Sequence, residues 1–524
     1  MATETMVPIQ EQQQSVFRSA LRKCFSFPVL LGTVLVVANF GIEKSLRIEP
    51  DTWWHMKYGE AILNTGHWPT VDSWSFTAHG MPSIAYEWAG EVVTALAYRL
   101  GEFRGLDVLL ITLTSIVVLL IYYFAWLRCH NAKAAFVGTI LIIPIAAMCF
   151  TLRPQLLGYI FLLITLISLE RFRQGHRNAL WALPAVFLLW VNVHGSFALG
   201  FLAMGLYWVS GLVEFSKGDL YAQSWTLDDR IRLELAALLC VLVLPITPYG
   251  TRLATVPLTY AFSLPGNMAF IQEWQPLNMG LWEAKLLLIL LAGFVLAQIS
   301  FRLRYRVEEL GLFFIVTYLT FMHFRFVILF AIIFAPFVAS IIARWMPAYD
   351  PKIDKYALNG VLFVIALVVL ARSLPSEVAL QKHIGKEFPI QAVHYLRHHP
   401  LPGRMFNDYA FGGYLVWAMA PAHKVFIDGR GNVYEPVGVF SDYISVQDIH
   451  PDALAILRAY HINSCIIQRK SPLATLLRAT PDWKEIYKDP LSSIFVTDKL
   501  LPTVATVDTP QIGRITNRNP AGAH

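Results

Sequence analysis

A chain of 524 residues that is 56% hydrophobic and only 15% charged, with a mean hydropathy of +0.50, falls outside the range of soluble globular proteins and among polytopic membrane proteins. Its formal charge of +6 comes from Lys and Arg scattered over the connections between apolar runs. No basic tract is long enough to grip a phosphate backbone, so nucleic acid is excluded as a partner.

Runs able to span roughly 30 Å of hydrocarbon occur at about eleven places: 28–46, 106–127, 134–151, 155–170, 179–194, 196–214, 233–247, 283–301, 309–323, 326–344 and 357–373. The first, behind Arg18, Arg22 and Lys23, has the outline of a signal peptide. It is read as a membrane helix, because cleavage would strip the next loop of its anchor. The five cysteines form no disulfide framework, and packing is the reading for all of them.

The loop 47–105 after the first run is the most polar part of the N-terminal two thirds. It gathers Asp51, His55, Asp72, His79, Glu87 and Glu91 among tryptophans, whose amphipathic rings suit the headgroup layer. Asp51, just after Pro50, is placed to orient or deprotonate a hydroxyl, with helix capping as the plainer role. Trp54 and His55 crowd the same spot and are candidate substrate contacts. Asp72, in PTVDSWSFT, is either a catalytic acid or the head of an Asx-turn. Glu87 and Glu91 share one face of an amphipathic helix over 86–104 that reads as interfacial, and Glu87 is the candidate second carboxylate.

Basic residues fall on alternate loops: Arg128 and Lys133; Arg171, Arg173 and Arg177; Arg230 and Arg232; Arg302, Arg304 and Arg306; Arg344, Lys352 and Lys355. These loops are therefore cytoplasmic, and the first loop and everything after 373 are outside. The remaining motifs then share the outer face: TLRPQ with Arg153, VNVHGSF with His194, TPYG at 247–250, FIQEWQP with Glu273, and MHFRF with His323 and Arg325. A guanidinium at a helix end can hold a phosphate by a two-pronged contact or anchor the helix in the interface. His55, His79, His194 and His323 leave room for a divalent metal, but HExxH and CxxC pairs are missing and structural histidines are the default.

From 374 to 499 the composition becomes that of a soluble α/β domain. RMFNDY, KVFIDG, SCIIQ and SIFVTD read as strands, and PIQAVHYLRHH and PDALAILRAYH as helices. The glycines of AFGGYL and DGRGNVY match no phosphate loop and read as turn glycines. Asn407, Asp408, Tyr409, Asp428, Arg430 and Tyr434 form a polar, aromatic set suited to a sugar or to structure. Residues 500–524 read as a flexible tail.

DTWWHMKYGEAILNTGHWPTVDSWSFT, TLRPQLLGYIF, LLWVNVHGSFALG, FIQEWQP and NDYAFGGYLVW with VFIDGRGNVY together resemble a group of bacterial multispanning, glycosyltransferase-like proteins. The membrane part is similar to the GT-C superfamily of protein O-mannosyltransferases, lipid A aminoarabinose transferases and oligosaccharyltransferases. The resemblance runs to about residue 497. It implies an α-helical polytopic, GT-C-like protein of the bacterial inner membrane with a periplasmic C-terminal domain. It also implies inverting transfer of a sugar from a polyprenyl-phosphate donor to a periplasmic or lipid acceptor.

In such enzymes an acid of the first outer loop acts as base or orienter, and Asp51 holds that place. The mannosyltransferase-like pattern has a second acid next to it. Here Thr52 follows, which leaves the second carboxylate and any metal requirement unassigned. Attack at the anomeric carbon while phosphate departs gives Arg153 or Arg325 a charge to stabilise. Two other classes compete. A transporter or flippase for lipid-linked glycans would place ionisable groups deep in broken helices, and the predicted spans hold few. A non-catalytic assembly factor for envelope polysaccharide would dispense with the outer acids.

Overall fold

The computed structural model describes residues 22–42, 47–263 and 271–497; the tail predicted over 500–524 lies outside them. The helical body runs through α1 (Phe27–Ile42), α2 (Pro50–Thr65), α3 (Trp88–Cys129), α4 (Ala132–Ala146), α5 (Gln155–Arg173), α6 (Leu183–Val191), α7 (Phe197–Ser210), α8 (Leu227–Leu242), α9 (Arg252–Ser263), α10 (Trp282–Phe301), α11 (Val307–Met322), α12 (Val327–Ile342) and α13 (Tyr356–Ser373). A helix lies at each of the eleven places expected, and six of them are long and apolar enough to cross a membrane. The protein is a multi-pass membrane protein.

The interfacial helix and the second span prove to be two legs of α3. They join at Gly101 (φ −153°) and Glu102, whose φ of 51° is left-handed, a conformation unfavourable for a residue with a Cβ. The joint exposes the amides that open the second leg. Glu377 covers them, accepting from Phe103 N at 3.4 Å and Arg104 N at 3.0 Å, as a carboxylate does at a helix N-terminus.

The C-terminal part contains α14 (Glu377–Ile384), α15 (Ile390–His398), α16 (Tyr409–Met419), further short helices, and a four-stranded sheet of β4 (Arg404–Asn407), β5 (Ile462–Gln468), β6 (Trp483–Lys488) and β7 (Ser492–Thr497). The strand order is β4-β5-β7-β6, parallel at β4/β5 and antiparallel elsewhere. Two local expectations fail. KVFIDG makes only a bridge from Val425 to Ser75 of the first loop, and WKEIYK supplies the strand that was not anticipated. AFGGYL is helical, so its glycines are not turn residues: a Cβ on Gly413 would lie 2.1 Å from Pro50 O, and glycine lets α16 press against the start of α2.

Composition changes at 374, but packing does not break there. Trp53 of α2, wholly buried, meets Phe103, Phe388, Tyr414 and Trp417 with ring centroids 4.8–6.1 Å apart. A second core joins Phe76, Ala78 and Met81 of the first loop to the sheet. Removing an aromatic anchor such as Trp53 from this junction costs about 3–5 kcal/mol.

At the Arg-rich end the body holds more buried charge than the sequence suggests. Glu170 pairs with Arg128 and Arg306, Glu309 with the same two arginines, and Glu308 with Arg173 at 3.1 Å. These groups sit at the last turns of α3 and α5 and the start of α11. The strands β1 (Phe215–Lys217), β2 (Leu220–Ala222) and β3 (Tyr305–Arg306) form a small sheet beside them, and that local cover buries charges that spacing alone assigns to water.

Candidate functional site

Five polar motifs, far apart in the chain, converge where α2 begins. Thr52 Oγ1 receives a bond from Glu49 N at 3.3 Å and donates to Leu152 O at 2.8 Å, while Leu152 N binds Arg47 O. These ties set TLRPQ against the N-terminus of α2, so the residue that stands where a second acid was anticipated is a structural one. Arg153 then reaches three carboxylates: Glu49 at 3.1 Å, Asp51 at 3.1 Å and Glu273 at 3.0 Å. Trp54 Nε1 donates to the other oxygen of Asp51 at 3.0 Å.

Arg325 approaches the same cluster from MHFRF. Its guanidinium lies 4.1 Å from the Trp274 ring centre and 3.8 Å from Glu273, so it is positioned by stacking more than by charge. His323 Nδ1 donates to Trp274 O at 2.6 Å, and Phe324 N binds Gln275 O at 2.8 Å. These bonds join FIQEWQP and MHFRF into one wall.

Beside this group runs a chain of imidazoles and carboxyls. Ser196 N donates to His194 Nδ1 at 3.0 Å, so the proton of neutral His194 is on Nε2, which faces Glu87 at 3.4 Å. Glu87 also faces His55 Nε2 at 3.5 Å, and His55 Nδ1 faces Glu91 at 3.0 Å. Burial and the nearby Arg153 hold His55 well below its ordinary value, and burial with Arg325 and Arg153 brings His194 down to about 3. A neutral His55 carries one N–H for two carboxyl neighbours, so one neighbour must supply a proton. Both neighbours fit: burial raises Glu87 to about 8 despite the opposing pull of Arg153 and Arg325, and burial together with Glu87 raises Glu91 well above the usual carboxylate range.

The carboxylates are unequal. Burial lifts Asp51 to about 6, partly offset by Arg153; Glu273 is carried down to about 2 by Arg153 and Arg325, which outweigh its burial. Asp51 keeps 21% of its side chain exposed and Glu273 23%, whereas Glu87 keeps 9%. Asp51 can thus meet a ligand in ionised form near neutral pH, and Glu87 is mostly shut away and protonated there.

Of the candidate catalytic acids, Asp72 is the one not brought into this group. It accepts from Ser75 N at 3.0 Å and Ser75 Oγ at 2.6 Å and pairs with Arg430 at 2.7 Å, fully buried. This is the Asx-turn alternative, locked to the C-terminal part. Arg430 also binds Asp428, with Tyr434 Oη donating to Asp428 at 2.7 Å, and Asn407 braces Ile427 O and Phe426 N. Of the set suited to a sugar, Asp428, Arg430 and Tyr434 face one another. These bonds brace the DGRG turn over α2, where a Cβ on Gly429 would collide with Asp51 Oδ1.

One member escaped the sequence reading: Glu49 stands two residues before Asp51, a signal available in IEPDT. Glu91, gathered with the other acids of the first loop, was given no role of its own beyond sharing a helix face with Glu87. His79 contacts Lys424 at 3.2 Å, apart from the cluster. Among the described residues no group of three or more His, Cys, Asp or Glu side chains is arranged to hold a metal ion. The acids at Asp51 converge on a guanidinium, and as arranged they do not fit a divalent cation.

No family model matches the chain, and no curated protein matches it in sequence. Among solved structures, the oligosaccharyltransferase AglB from Archaeoglobus fulgidus, in complex with an inhibitory peptide and a dolichol-phosphate, superposes with a TM-score of 0.53. The match is at 11% identity and covers 84% of this chain and 69% of that one. ArnT from Cupriavidus metallidurans in the apo state gives a TM-score of 0.48 at 14% identity over 89% and 97% of the two chains. The AglB superposition shows that the chain shares the fold of that oligosaccharyltransferase.

Proposed function

We propose that the protein is a membrane glycosyltransferase that moves a sugar from a polyprenyl-phosphate donor to an acceptor at the membrane face bearing Asp51. The observation that carries this reading is the meeting of a partly exposed, ionisable Asp51 with Arg153, Glu273 and Arg325 from four separate segments. The AglB complex with a dolichol-phosphate supports a lipid-linked donor. Under the positive-inside rule that face is extracytoplasmic, the periplasm in a bacterium, and the helices at the eleven predicted spans would all cross or enter the membrane.

In this reading Asp51 takes or orients the proton of the acceptor hydroxyl as it attacks the anomeric carbon, with inversion. Arg325 receives the departing lipid phosphate. Its only close carboxylate among the described residues lies at 3.8 Å, so its donors are available, whereas Arg153 is already committed to three acids and sets their charge and position. Glu87 and the two histidines hold the floor beside Asp51.

The test is Asp51→Asn in purified protein, with binding of polyprenyl phosphate measured alongside release of polyprenyl phosphate from its sugar-linked form. Retained binding with lost release is the expected result. Undiminished release in the variant removes Asp51 from the chemistry.

A further inference from the structure

A second feature lies at the opposite end of α1. A groove of about 890 Å³ opens between α1, the last turns of α3 and α13. Its walls are apolar and aromatic, among them Val36, Leu119, Trp126 and Leu367, and its mouth carries Arg22 and Lys23. Along α13 it extends from Tyr356 to Leu370, roughly 20 Å at 1.5 Å per residue. That is a little over one leaflet of a hydrocarbon core about 30 Å thick.

The mouth is built rather than incidental. Phe27 N donates to Asp354 Oδ2 at 2.9 Å, Asn359 Nδ2 donates to Phe25 O at 2.8 Å, and Tyr122 Oη donates to Pro28 O at 3.2 Å. These bonds pin the starts of α1 and α13 and the end of α3 to one another. They also consume the nearby acid, since Asn359 binds the second oxygen of Asp354 at 2.7 Å. Arg22 lies 5.9 Å from the Tyr356 ring centre. Arg22 and Lys23 are otherwise exposed, and Lys352 and Lys355 belong to the same Tyr349–Tyr356 connection.

A trough of this depth with a cationic rim at one end matches an amphiphile with one leaflet-length chain in the groove and an anionic head at the rim. We propose that the groove binds one anionic glycerophospholipid from the leaflet opposite Asp51. Three chain directions agree on that placement: α1 leads from Arg22 toward Asp51, α3 leads from Trp88 at the Asp51 site toward Trp126, and α13 leads from Tyr356 back to the C-terminal part. The groove is therefore distinct from the donor site, and its much shorter reach disfavours a long polyprenyl chain.

The experiment reconstitutes the full chain in nanodiscs of phosphatidylcholine doped with phosphatidylglycerol and measures the lipid retained on the protein by native mass spectrometry. The wild type is expected to keep one phosphatidylglycerol with about thirtyfold preference, as two basic residues at a headgroup surface provide. R22Q/K23Q, which alters only exposed side chains, should abolish the preference. Val36→Trp should displace the lipid while leaving sugar transfer intact. Equal retention of the two phospholipids by the wild type, an unchanged preference in R22Q/K23Q, or retention of added polyprenyl phosphate in place of phospholipid would each overturn the assignment.

Discussion

Arginine and glutamate meet at both ends of the helical body, and the two meetings are built differently. At the Arg-rich end Arg128, Arg173 and Arg306 face Glu170, Glu308 and Glu309, one acid for each base, with the glutamates 1–9% exposed. At the Asp51 end acids outnumber bases: Glu49, Asp51 and Glu273 share Arg153 and the more distant Arg325, and these side chains keep 15–37% exposure. A balanced, closed set can only hold helices together. An unbalanced, open set leaves both charge and surface for a ligand, and that contrast separates architecture from chemistry better than any single residue does.

The contrast breaks most sharply by removing one acid from each end. Asp51→Asn should lower turnover about 10²- to 10⁴-fold, the range for loss of a general base, with melting temperature nearly unchanged. Glu170→Gln should do the reverse. It leaves Arg128 and Arg306 to share Glu309, which costs about 1–3 kcal/mol of stability, and the protein that survives should turn over normally. Equal effects of the two variants on both readouts would erase the distinction.

Arg325→Lys should come next, weakening donor binding several-fold while kcat changes less, because a point charge replaces a planar fork stacked on Trp274. Titration of polyprenyl phosphate against the variant checks this.

Two pH profiles sharpen the picture further. With Asp51 raised to about 6, activity should climb as pH rises through that value, since the ionised form is the base. Arg153→Gln removes a group that lowers Asp51, so the acid limb should move to higher pH.

Glu87 should give the smallest effect. Its folded value near 8 exceeds the ordinary 4.5, so the folded state holds a proton that the unfolded state has lost across that window. Its stabilising contribution is complete below about pH 4.5 and declines as pH rises through 8. Glu87→Gln, fixed in the neutral form, should flatten the fall in melting temperature over that window.

Much of this arrangement was legible in the chain. Apolar runs located the helices, and the charge of the connections predicted that TLRPQ, VNVHGSF, FIQEWQP and MHFRF would share a face with the first loop. What the chain concealed was long-range contact. Nothing local tells whether Asp72 faces a substrate or Arg430, more than 350 residues away (|430 − 72|) in sequence, or that Gly413 and Gly429 are small because α2 and Asp51 lie against them. Period and composition describe one segment at a time, and WKEIYK became a strand only because β7 lies beside it.

The central claim is that the face formed by Asp51, Arg153, Glu273 and Arg325 holds a lipid phosphate, and photocrosslinking tests it most directly. A polyprenyl phosphate carrying a diazirine in its first isoprene unit should label segments 47–55, 271–275 and 323–326, with unlabelled polyprenyl phosphate competing. Labelling confined to the Arg-rich end of the body, or spread over the lipid-facing helices without competition, would contradict it.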